Sequence, residues 1–457
     1  YRERGFVLAK AYIPKQQVRD GIVNLTLLLG MLGDVRVSGN TLYKTKRLAS
    51  VFDDMYGKPV TNTMIEERLY LINDYPGIFV DGYFEPGTQV GDTRLGVNVR
   101  SESRYNGNVR LDSHGSEDTG RYRLYADGQI NNPLGLADKL KIGVLSAIKP
   151  SNTDYWSAEY HMKPFGSRLA LSIDTSKNQF IVDQSESAAQ LDLNGDVTLQ
   201  GVNAAYLLRR TRHRNSTVGL RYEEIESALQ FGDVDTGELD DKLKNTSLSY
   251  DFDVLQEQAR RFHQGRVKVT SGEFIYGAED DQDKTYKFLS ADYTLLSFLR
   301  LPLVNADTRV IYRAELQYAG INLSGILRYS LSGPTRARAY PPGLFTVDDA
   351  VLVGVDWIFN TPSFLDFKVT DAVRFTEFAK PVMFLDYASG KQNAIAGADD
   401  KIRATLIDAG VGLKFSYGKS FNGNLLLAFP VSEDFGSLET KPDVDPNRIV
   451  FDFQYSF

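Results

Sequence analysis

Apolar and polar residues alternate with a period of two through most of this chain. In the stretch 121–130, for example, Tyr122 and Leu124 belong to one face of the alternation, and Arg121 and Arg123 belong to the other. Such alternation predicts a β-strand with one apolar face and one polar face. Between residue 102 and the end we predict sixteen strands, at 103–112, 119–131, 138–149, 154–164, 167–175, 197–210, 214–227, 245–254, 264–275, 284–298, 307–318, 349–358, 380–388, 404–417, 421–430 and 448–457.

The two faces of these strands favour a membrane-embedded barrel over a soluble β-sandwich, in which strands also alternate. The polar face carries Arg, Asp, Glu and Gln over many strands, whereas the other face is aromatic near its ends, as at Trp156, Trp357 and Tyr455. Aromatic residues gather where a barrel wall meets lipid headgroups, and single-chain outer-membrane barrels have an even number of strands. We therefore predict a mainly β fold, a sixteen-stranded antiparallel transmembrane β-barrel.

The connections between the predicted strands differ in length. Those that follow odd-numbered strands, such as 176–196 and 228–244, are mostly long and acidic, and those that follow even-numbered strands are mostly short. Long loops are expected outside the cell and short turns in the periplasm. The connection 359–379 is the exception, because it should be periplasmic and the pattern gives no reason for its length.

The first hundred residues show a different pattern. Residues 32–101 are expected to form strand, helix, helix, strand and strand, with the strands at 33–40, 77–88 and 93–102. Residues 1–31 carry two further strands and are expected to be the end of a preceding small domain. A small sheet beside a helix leaves an edge, here expected around 77–100, to which an extended segment of another chain can add.

Composition narrows the class of protein. The chain has 457 residues, no cysteine and a formal net charge of −7. The lack of cysteine excludes thiolate metal sites, thiol catalysis and disulfides, and the acidic balance argues against binding to the phosphate backbone of nucleic acid. No apolar run reaches the roughly 18 residues of a transmembrane helix. A mean hydropathy of −0.29 would ordinarily indicate a soluble protein, but a barrel needs lipid-facing residues only at alternate positions.

No catalytic or metal-binding motif stands out. The four histidines, His114, His161, His213 and His263, lack metal-ligand spacing, and neither H-E-x-x-H, G-x-S-x-G nor a phosphate-binding loop occurs. The acidic run Glu279–Asp283 could hold a divalent cation, but a solvated loop tip is the simpler interpretation. We therefore predict no catalytic residues, no metal and no cofactor.

One connection contains residues that a plain turn does not need. The stretch 329–343 reads YSLSGPTRARAYPPG, and its Gly–Pro and Pro–Pro–Gly steps exclude an ordinary strand. Long loops marked in this way are more often functional than decorative. A guanidinium such as that of Arg338 needs a carboxylate there, and Asp386 in the later strand PVMFLDYA is one candidate. The alternative is that Arg338 is solvated and Asp386 pairs with another neighbour.

Both motifs resemble those of the transporters of two-partner secretion, the TpsB class of the hemolysin and filamentous-hemagglutinin secretion type. In that family a Gly-rich loop run ends in Val-Arg-Gly-Tyr. The run SLSGPTRARAY is similar to it, with Ala337 and Ala339 where the family has Val and Gly. The stretch FLDYA at 384–388 resembles the Phe-x-Asp motif of the family's barrel wall.

The resemblance implies roles for individual residues. In the family the loop folds back into the barrel lumen, and its arginine meets the wall aspartate. Carried over to this sequence, the loop-tip residues are Gly333, Arg338 and Tyr340, and their partners in the wall are Phe384 and Asp386.

The order of the N-terminal elements resembles a polypeptide-transport-associated (POTRA) domain. The resemblance therefore divides the chain into three parts. These are 1–31, the C-terminal remnant of a first POTRA domain, 32–101, a second POTRA domain, and 102–457, the barrel with a lumen-inserting loop at about 319–348. Because the chain opens at Tyr1 without a signal peptide, we interpret it as a mature or trimmed fragment.

What the family implies is a protein of the bacterial outer membrane, with its POTRA domain in the periplasm. It secretes a large partner exoprotein, such as a hemolysin, an adhesin or a contact-dependent toxin, through its barrel, and the POTRA domain recognises the partner's N-terminal segment. We expect a monomer whose other partners are outer-membrane lipid and the outer-membrane assembly machinery, with no nucleic acid. The alternatives are an assembly factor of the same superfamily that inserts proteins into the outer membrane, and an outer-membrane lipase or protease.

The polar faces of the strands are expected to line the lumen. The lumen-lining residues that we predict are Arg121, Arg123, Arg309, Arg313 and Glu315. The C-terminal aromatic residue Phe457 resembles the signal that the assembly machinery reads, and the alternative is that the last strand simply ends there.

Overall fold

The computed structural model describes residues 1–17, 21–89, 91–182, 193–231, 240–277, 282–301, 306–371, 373–394, 402–436, 442 and 444–457. Sixteen strands, each antiparallel to its neighbours, close into a barrel. The last strand completes the ring by pairing with the first, from Asp452 opposite Asp112 to Ser456 opposite Asn108. The predicted mainly β fold and the sixteen-stranded barrel are confirmed.

A small α+β unit precedes the barrel. It starts with a 3₁₀-helix (Arg2–Arg4) and a hairpin of β1 (Lys10–Tyr12) and β2 (Thr26–Leu28), and continues with β3 (Met31–Ser38), α1 (Thr45–Ala49), a 3₁₀-helix (Ser50–Met55), α2 (Asn62–Asn73), β4 (Ile78–Pro86) and β5 (Asp92–Glu102). Thr61 caps α2, since its hydroxyl accepts the Met64 N–H. Phe52 of the second 3₁₀-helix and Leu71 of α2 are buried in one apolar cluster with Leu95 of the sheet.

The sheet of this unit has the order β3-β5-β4, so β5 is its central strand. β5 runs parallel to β3 and antiparallel to β4. A central strand has no unpaired edge. The strand addition expected around 77–100 is therefore wrong for the part of that range within β5, and only β4 can accept a strand there.

The barrel strands occur in chain order, at the places that the alternation predicts. The first eleven are β6 (Tyr105–Asp112), β7 (Tyr122–Asn131), β8 (Lys139–Lys149), β9 (Thr153–Met162), β10 (Leu169–Val182), β11 (Leu193–Arg210), β12 (Arg214–Phe231), β13 (Asp241–Gln256), β14 (Arg261–Tyr276), β15 (Thr285–Leu301) and β16 (Ala306–Tyr318). The rest of the chain contains a 3₁₀-helix (Gly325–Leu327), the short pair β17 (Tyr329–Ser330) and β18 (Thr346–Val347), the barrel strand β19 (Asp349–Phe359), a 3₁₀-helix (Ser363–Leu365), the short pair β20 (Lys368–Thr370) and β21 (Val373–Arg374), α3 (Phe375–Phe378), and the barrel strands β22 (Ala379–Lys391), β23 (Arg403–Tyr417), β24 (Phe421–Asp434) and β25 (Arg448–Ser456).

Several strands extend further than predicted at the barrel end away from the α+β unit. β12 continues to Phe231 and β13 begins at Asp241. The outward face there is charged rather than apolar, since Lys242 pairs with Glu226 at 3.0 Å. The periodic pattern therefore fades although the strand continues.

The loop 319–348 turns back into the barrel. Its buried apolar side chains, including Leu331, Tyr340 and Phe345, form one cluster with inward-facing residues of the wall such as Leu352 and Leu406. The lumen between β19 and β25 is thus filled by the loop in the manner of a protein core. Among the described residues, none of the helices is both long and apolar enough to span a membrane.

Candidate functional site

Arg338 at the loop tip is bound by two carboxylates of the barrel wall. Its Nε donates to Oδ2 of Asp386 at 2.7 Å, and its Nη2 donates to Oδ1 of Asp386 at 3.1 Å and to Oδ1 of Asp356 at 2.6 Å. Arg338 is 4% exposed, and both carboxylates are buried as well. A two-pronged arginine–carboxylate pair fixes orientation as well as charge, so the tip is held in one position.

Phe384 contacts the same guanidinium. The guanidinium carbon of Arg338 lies 3.7 Å from the centre of the Phe384 ring. A cation over an aromatic face is attracted to the ring, most strongly where water is excluded. The wall residues Phe384 and Asp386 are two positions apart on β22 and therefore share a face, and their burial shows that this face points into the lumen. The alternating pattern thus brings both to the loop tip.

Gly354 of β19 makes space for this contact. It lies opposite Asp386 in the strand register. A Cβ atom added at Gly354 would lie 2.5 Å from Oδ1 of Asp386 and 2.8 Å from Nη2 of Arg313. Only a residue without a side chain therefore lets these two groups meet above β19.

Arg313, predicted to line the lumen, also belongs to the tether. Its Nη2 donates to Oδ1 of Asp386 at 2.8 Å, and its Nη1 donates to the carbonyl of Thr335 in the loop. Lys414 donates to Oδ2 of Asp356 at 3.1 Å. The cations of the loop and the wall thus share the same carboxylates, which lowers the cost of burying each charge.

Asp408 of β23 is a third carboxylate at the tip. It lies opposite Asp386 in the register, is buried, and accepts the backbone N–H of Ala339. Ala337 and Ala339 are themselves buried, so the tip packs closely against the wall. Asp408 therefore holds the loop backbone next to the point where Arg338 holds its side chain.

Tyr340 and Gly333 shape the rest of the tip. The Tyr340 hydroxyl contacts the carbonyls of Ile407 and Ser432, each at 3.2 Å, and its ring is buried in the lumen cluster. Gly333 has a φ of 134°, which favours glycine, and its carbonyl accepts the N–H of Arg336 in a tight turn. This turn returns the chain toward the wall.

Glu315 of β16 contacts the loop above the tip. Its Oε2 accepts the Tyr329 hydroxyl at 2.7 Å and lies 3.6 Å from Nε of Arg336. The Arg336 guanidinium lies 4.0 Å from the centre of the Tyr329 ring. Arg336 is less buried than Arg338, so its ion pair is the weaker of the two loop contacts.

The root of the loop has anchors that the sequence analysis missed. Asp348 accepts the N–H of Leu323 at 2.9 Å and that of Asn393 at 2.7 Å. Asp349 accepts the N–H groups of Ala319 and Gly320 at 2.7 Å and 2.9 Å. Burial raises the pKa of Asp348, although these hydrogen bonds act in the opposite direction. The sequence feature that could have indicated these anchors is the pair of adjacent Asp residues at the start of a strand.

The other predicted residues lie elsewhere. Arg123 of β7 donates to Oδ1 of Asp112 at 2.9 Å, near the seam where the last barrel strand meets the first, and Arg121 pairs with Glu117 in the β6–β7 connection. Arg309 shares the inward face of β16 with Arg313, nearer the α+β unit. The 71% exposed Phe457 exchanges backbone hydrogen bonds with Gly107 at the barrel seam, both of 2.9 Å. These residues are not part of the loop contacts.

Part of the lumen remains open beside the loop. A cavity of about 410 Å³ lies between the loop residues Pro342 and Gly343 and the wall from β7 to β10, where Arg123 lines it. A second cavity of about 490 Å³ follows the wall and is lined by polar residues such as Lys141 and Arg221. The space that remains beside the loop is therefore lined largely by polar residues of the wall.

Within the ranges that the structure describes, no group of three or more His, Asp or Glu side chains is arranged to hold a metal ion. Three residues of the acidic run, Glu279–Asp281, lie outside the described residues.

Asp356 and Asp408 are two further site residues that sequence reasoning missed. Each stands at an inward position of an alternating strand, as Asp386 does. Neither belongs to the Phe-x-Asp motif, and only the pairing register places them beside it. An aspartate at an inward position of consecutive strands is the feature that could have pointed to them.

Comparison with known proteins identifies relatives. Residues 91–340 match the family model described as haemolysin secretion/activation protein ShlB/FhaC/HecB. The heme/hemopexin transporter protein HuxB of Haemophilus influenzae is 24% identical over 96% of this chain and 77% of its own length. The solved structure of CdiB from Escherichia coli has a TM-score of 0.77 at 18% identity, and covers 99% of this chain and 81% of that one. The solved structure of CdiB from Acinetobacter baumannii has a TM-score of 0.75 at 17% identity, and it covers 100% of this chain and 79% of that one.

The family model covers more than half of the chain, including the barrel strands from β6 to β16 and the loop as far as Tyr340. The outer-membrane transporters among the relatives and the closed barrel together place this protein in the bacterial outer membrane. The chain belongs to the ShlB/FhaC/HecB family of haemolysin secretion/activation proteins.

Proposed function

We propose that this protein is the outer-membrane translocator of a two-partner secretion pathway, and that it secretes a large partner exoprotein through its barrel. The observation that carries the proposal is the clamping of Arg338 between Asp356 and Asp386, which holds a loop inside the lumen. A plug held by buried polar contacts at its tip and by apolar packing against the wall narrows the barrel at rest, and it can move without unfolding the wall. The exoprotein is a hemolysin, an adhesin or a contact-dependent toxin.

The names of the relatives support this proposal. They include the hemolysin transporter protein HpmB of Proteus mirabilis and the outer membrane transporter CdiB of Escherichia coli. The proposed division of the chain is a first POTRA remnant at 1–31, a POTRA domain at 32–101 and the barrel at 102–457. The POTRA domain lies in the periplasm and recognises the N-terminal segment of the exoprotein.

The exposed edge of β4 is the proposed recognition site. The other edge of the sheet is partly occupied, because Leu32 of β3 exchanges backbone hydrogen bonds with Lys58 and Gly57, at 3.0 Å and 2.8 Å. On β4, the side chain of Asn73 takes the place of a strand at Val80, donating to its carbonyl at 3.1 Å and accepting its N–H at 2.7 Å.

The contact at Val80 fixes the direction of the neighbouring backbone groups. Alternate residues of a strand turn their N–H and C=O groups to the same side, so Gly82 and Phe84 also present theirs at this edge. We infer that an incoming segment pairs first with Gly82 and Phe84, and that it displaces Asn73 when it extends to Val80. Leu69 of α2 approaches Gly82 and provides an apolar side to this groove.

The groove is held at the mouth of the barrel. Arg210, at the end of β11, donates to both carboxylate oxygens of Asp74, at 2.8 Å and 2.7 Å. Arg168 pairs with Glu67 of the same helix α2. Because these barrel residues fix one face of α2, a segment bound along β4 starts beside the lumen, which favours its transfer into the polar side of the barrel.

The remaining proposals follow from the family. The protein acts without catalytic residues or a cofactor, and folding of the exoprotein outside the cell supplies the direction of transport. The monomeric barrel sits in outer-membrane lipid, and Phe457 at the end of β25 is read by the assembly machinery.

The proposal is tested by deleting the gene and comparing both the proteins secreted into the medium and the outer-membrane protein profile with those of the wild-type strain. We expect the exoprotein to disappear from the medium while other outer-membrane proteins keep their levels. Normal secretion would contradict the proposal, and a general fall in barrel proteins would favour the assembly factor. Purified protein assayed for lipase and protease activity tests the enzyme alternative, and cleavage of either substrate would support that alternative.

A further inference from the structure

The connection between β19 and β22 is long for a turn at the periplasmic end, and its helix α3 packs on the outside of the barrel. The ring of Phe378 lies 5.2 Å from that of Phe415 and 6.0 Å from that of Phe421, measured between centroids. Phe415 and Phe421 belong to the neighbouring strands β23 and β24. The connection therefore leaves the rim and folds against the wall.

The wall surface that Phe378 contacts is the lipid-facing one. Phe415 is an odd-numbered residue of β23, like Val411, whose side chain is 47% exposed on the barrel exterior. The even-numbered Lys414 of the same strand points inward, where it meets Asp356 in the lumen. Since side chains alternate along a strand, Phe415 lies on the lipid-facing side of the wall. The helix α3, which contacts Phe415, therefore lies on that side as well.

Apolar side chains of the connection continue this surface. The ring of Phe375 in α3 is stacked on Phe367 at 4.8 Å. Phe367 is 54% exposed and Val369, two residues further along β20, is 44% exposed. We call Phe367, Val369, Phe375 and Phe378 the interfacial foot. Its two aromatic contacts, one with the lipid-facing wall and one with the exposed Phe367, are joined through the short helix α3.

We propose that the interfacial foot binds the periplasmic phospholipid leaflet of the outer membrane, with Phe367 and Val369 among the lipid headgroups and upper acyl chains. Its position on the outer face of the wall selects lipid as the occupant, because the lipid around that face also lies beside the foot. Aromatic residues at this depth are typical of membrane interfaces.

The polar residues of the same hairpin fit this position. Lys368 and Thr370 alternate with Phe367 and Val369, and both are exposed. A lysine beside apolar residues that contact lipid can extend its ammonium group to lipid phosphates while its aliphatic stem lies among the acyl chains. The sequence pattern gives no reason for the length of this connection. The proposed contact with lipid explains it, because the additional residues form the interfacial foot.

Spin labelling tests the proposal directly, because the natural chain has no cysteine. Val369→Cys is labelled with a nitroxide and reconstituted in vesicles of phosphatidylethanolamine and phosphatidylglycerol. The accessibility of the label to oxygen is then compared with its accessibility to a water-soluble nickel chelate. Val411→Cys is the lipid-exposed reference, and Asp371→Cys, in the same hairpin, is the water-exposed one. Retention of the heat-modifiable barrel band shows that each variant is folded.

We expect the ratio of oxygen to nickel accessibility at residue 369 to be several-fold higher than at residue 371, and closer to that at residue 411. A ratio equal to that at residue 371 would place the foot in water and overturn the proposal. Low accessibility to both reagents would mean that protein rather than lipid covers Val369, and would overturn it as well.

Discussion

The guanidinium of Arg338 and the carboxylate of Asp386 meet through two hydrogen bonds inside the barrel, at 2.7 Å and 3.1 Å, although they are 48 residues apart in the chain. Asp386 receives a further hydrogen bond from Arg313 at 2.8 Å. The contact joins a loop to a wall that is otherwise complete without it. Its loss should therefore change the loop while leaving the barrel intact.

Replacement of Arg338 by Ala should strongly reduce secretion of the exoprotein. Removing one partner of a buried ion pair costs about 3–5 kcal/mol, because the other charge stays buried without compensation. The tip then loses its fixed position, so the loop fluctuates between open and obstructing arrangements instead of moving aside in step with the exoprotein. Secreted and cell-associated exoprotein should be measured by immunoblotting, together with the amount of folded barrel in the outer membrane.

Arg336→Ala is the matched control, since Arg336 lies in the same loop but forms a longer and more exposed ion pair. It should secrete at close to the wild-type level. Secretion that is unchanged in Arg338→Ala would remove the tether from the mechanism.

Substitution of Gly354 by Ala should reproduce the Arg338→Ala defect through the wall. The new methyl group would lie 2.5 Å from Oδ1 of Asp386, so the carboxylate has to leave its position between the arginines. Gly128→Ala is the control, because nothing lies within 4 Å of a Cβ there. Exoprotein in the medium is the readout, and equal secretion by both variants would show that the spacing at β19 is not limiting.

Asp408→Ala should loosen the loop backbone without breaking the Arg338 pair. The N–H of Ala339 would be left buried without an acceptor, at a cost of about 1–3 kcal/mol. Hydrogen exchange of the loop peptide that contains Ala339 should become faster. Asp452→Ala serves for comparison, because Asp452 accepts from Asn424 across the wall rather than from the loop. If the loop peptide exchanges its amide hydrogens at the wild-type rate in both variants, Asp408 does not hold the loop tip.

Asn73→Ala should strengthen binding of the exoprotein's N-terminal segment. The side chain of Asn73 occupies the N–H and C=O of Val80 that an added strand would use. In the variant the incoming segment no longer has to break the two hydrogen bonds between Asn73 and Val80, each worth about 0.5–1.5 kcal/mol net. The affinity for the segment should therefore rise several-fold. Calorimetric titration of the full-length protein with the segment measures this change.

Asn62→Ala, at the other end of α2, keeps the β4 edge as it is and should bind like the wild type. An affinity for Asn73→Ala at or below that of Asn62→Ala would show that the segment does not pair with β4 at Val80.

The barrel could be predicted from sequence because lipid and lumen impose opposite polarity on alternate residues. In β19, for example, Val351 and Val353 face outward while Leu352 and Asp356 face inward. Where a strand leaves the lipid the pattern is lost, and Lys244 of β13 stands on the outward face, 3.9 Å from Glu224. The extensions of such strands were therefore missed.

The candidate site was predictable only as far as its motifs extend. Arg338 and Asp386 each belong to a stretch that resembles a family pattern. Asp356, Asp408 and Gly354 acquire their roles from the register between strands, which period-two alternation does not determine. The central position of β5 in its sheet is likewise a property of pairing, so the binding edge could not be restricted to β4 from the pattern alone.

The conductance of purified Arg338→Ala in planar lipid bilayers tests the central claim most directly, because it reports whether the loop closes the lumen. We predict that the variant opens more often and to larger currents than the wild type, whereas Arg336→Ala behaves like the wild type. Identical channel records for wild type and Arg338→Ala would contradict the claim that this arginine keeps the loop in place.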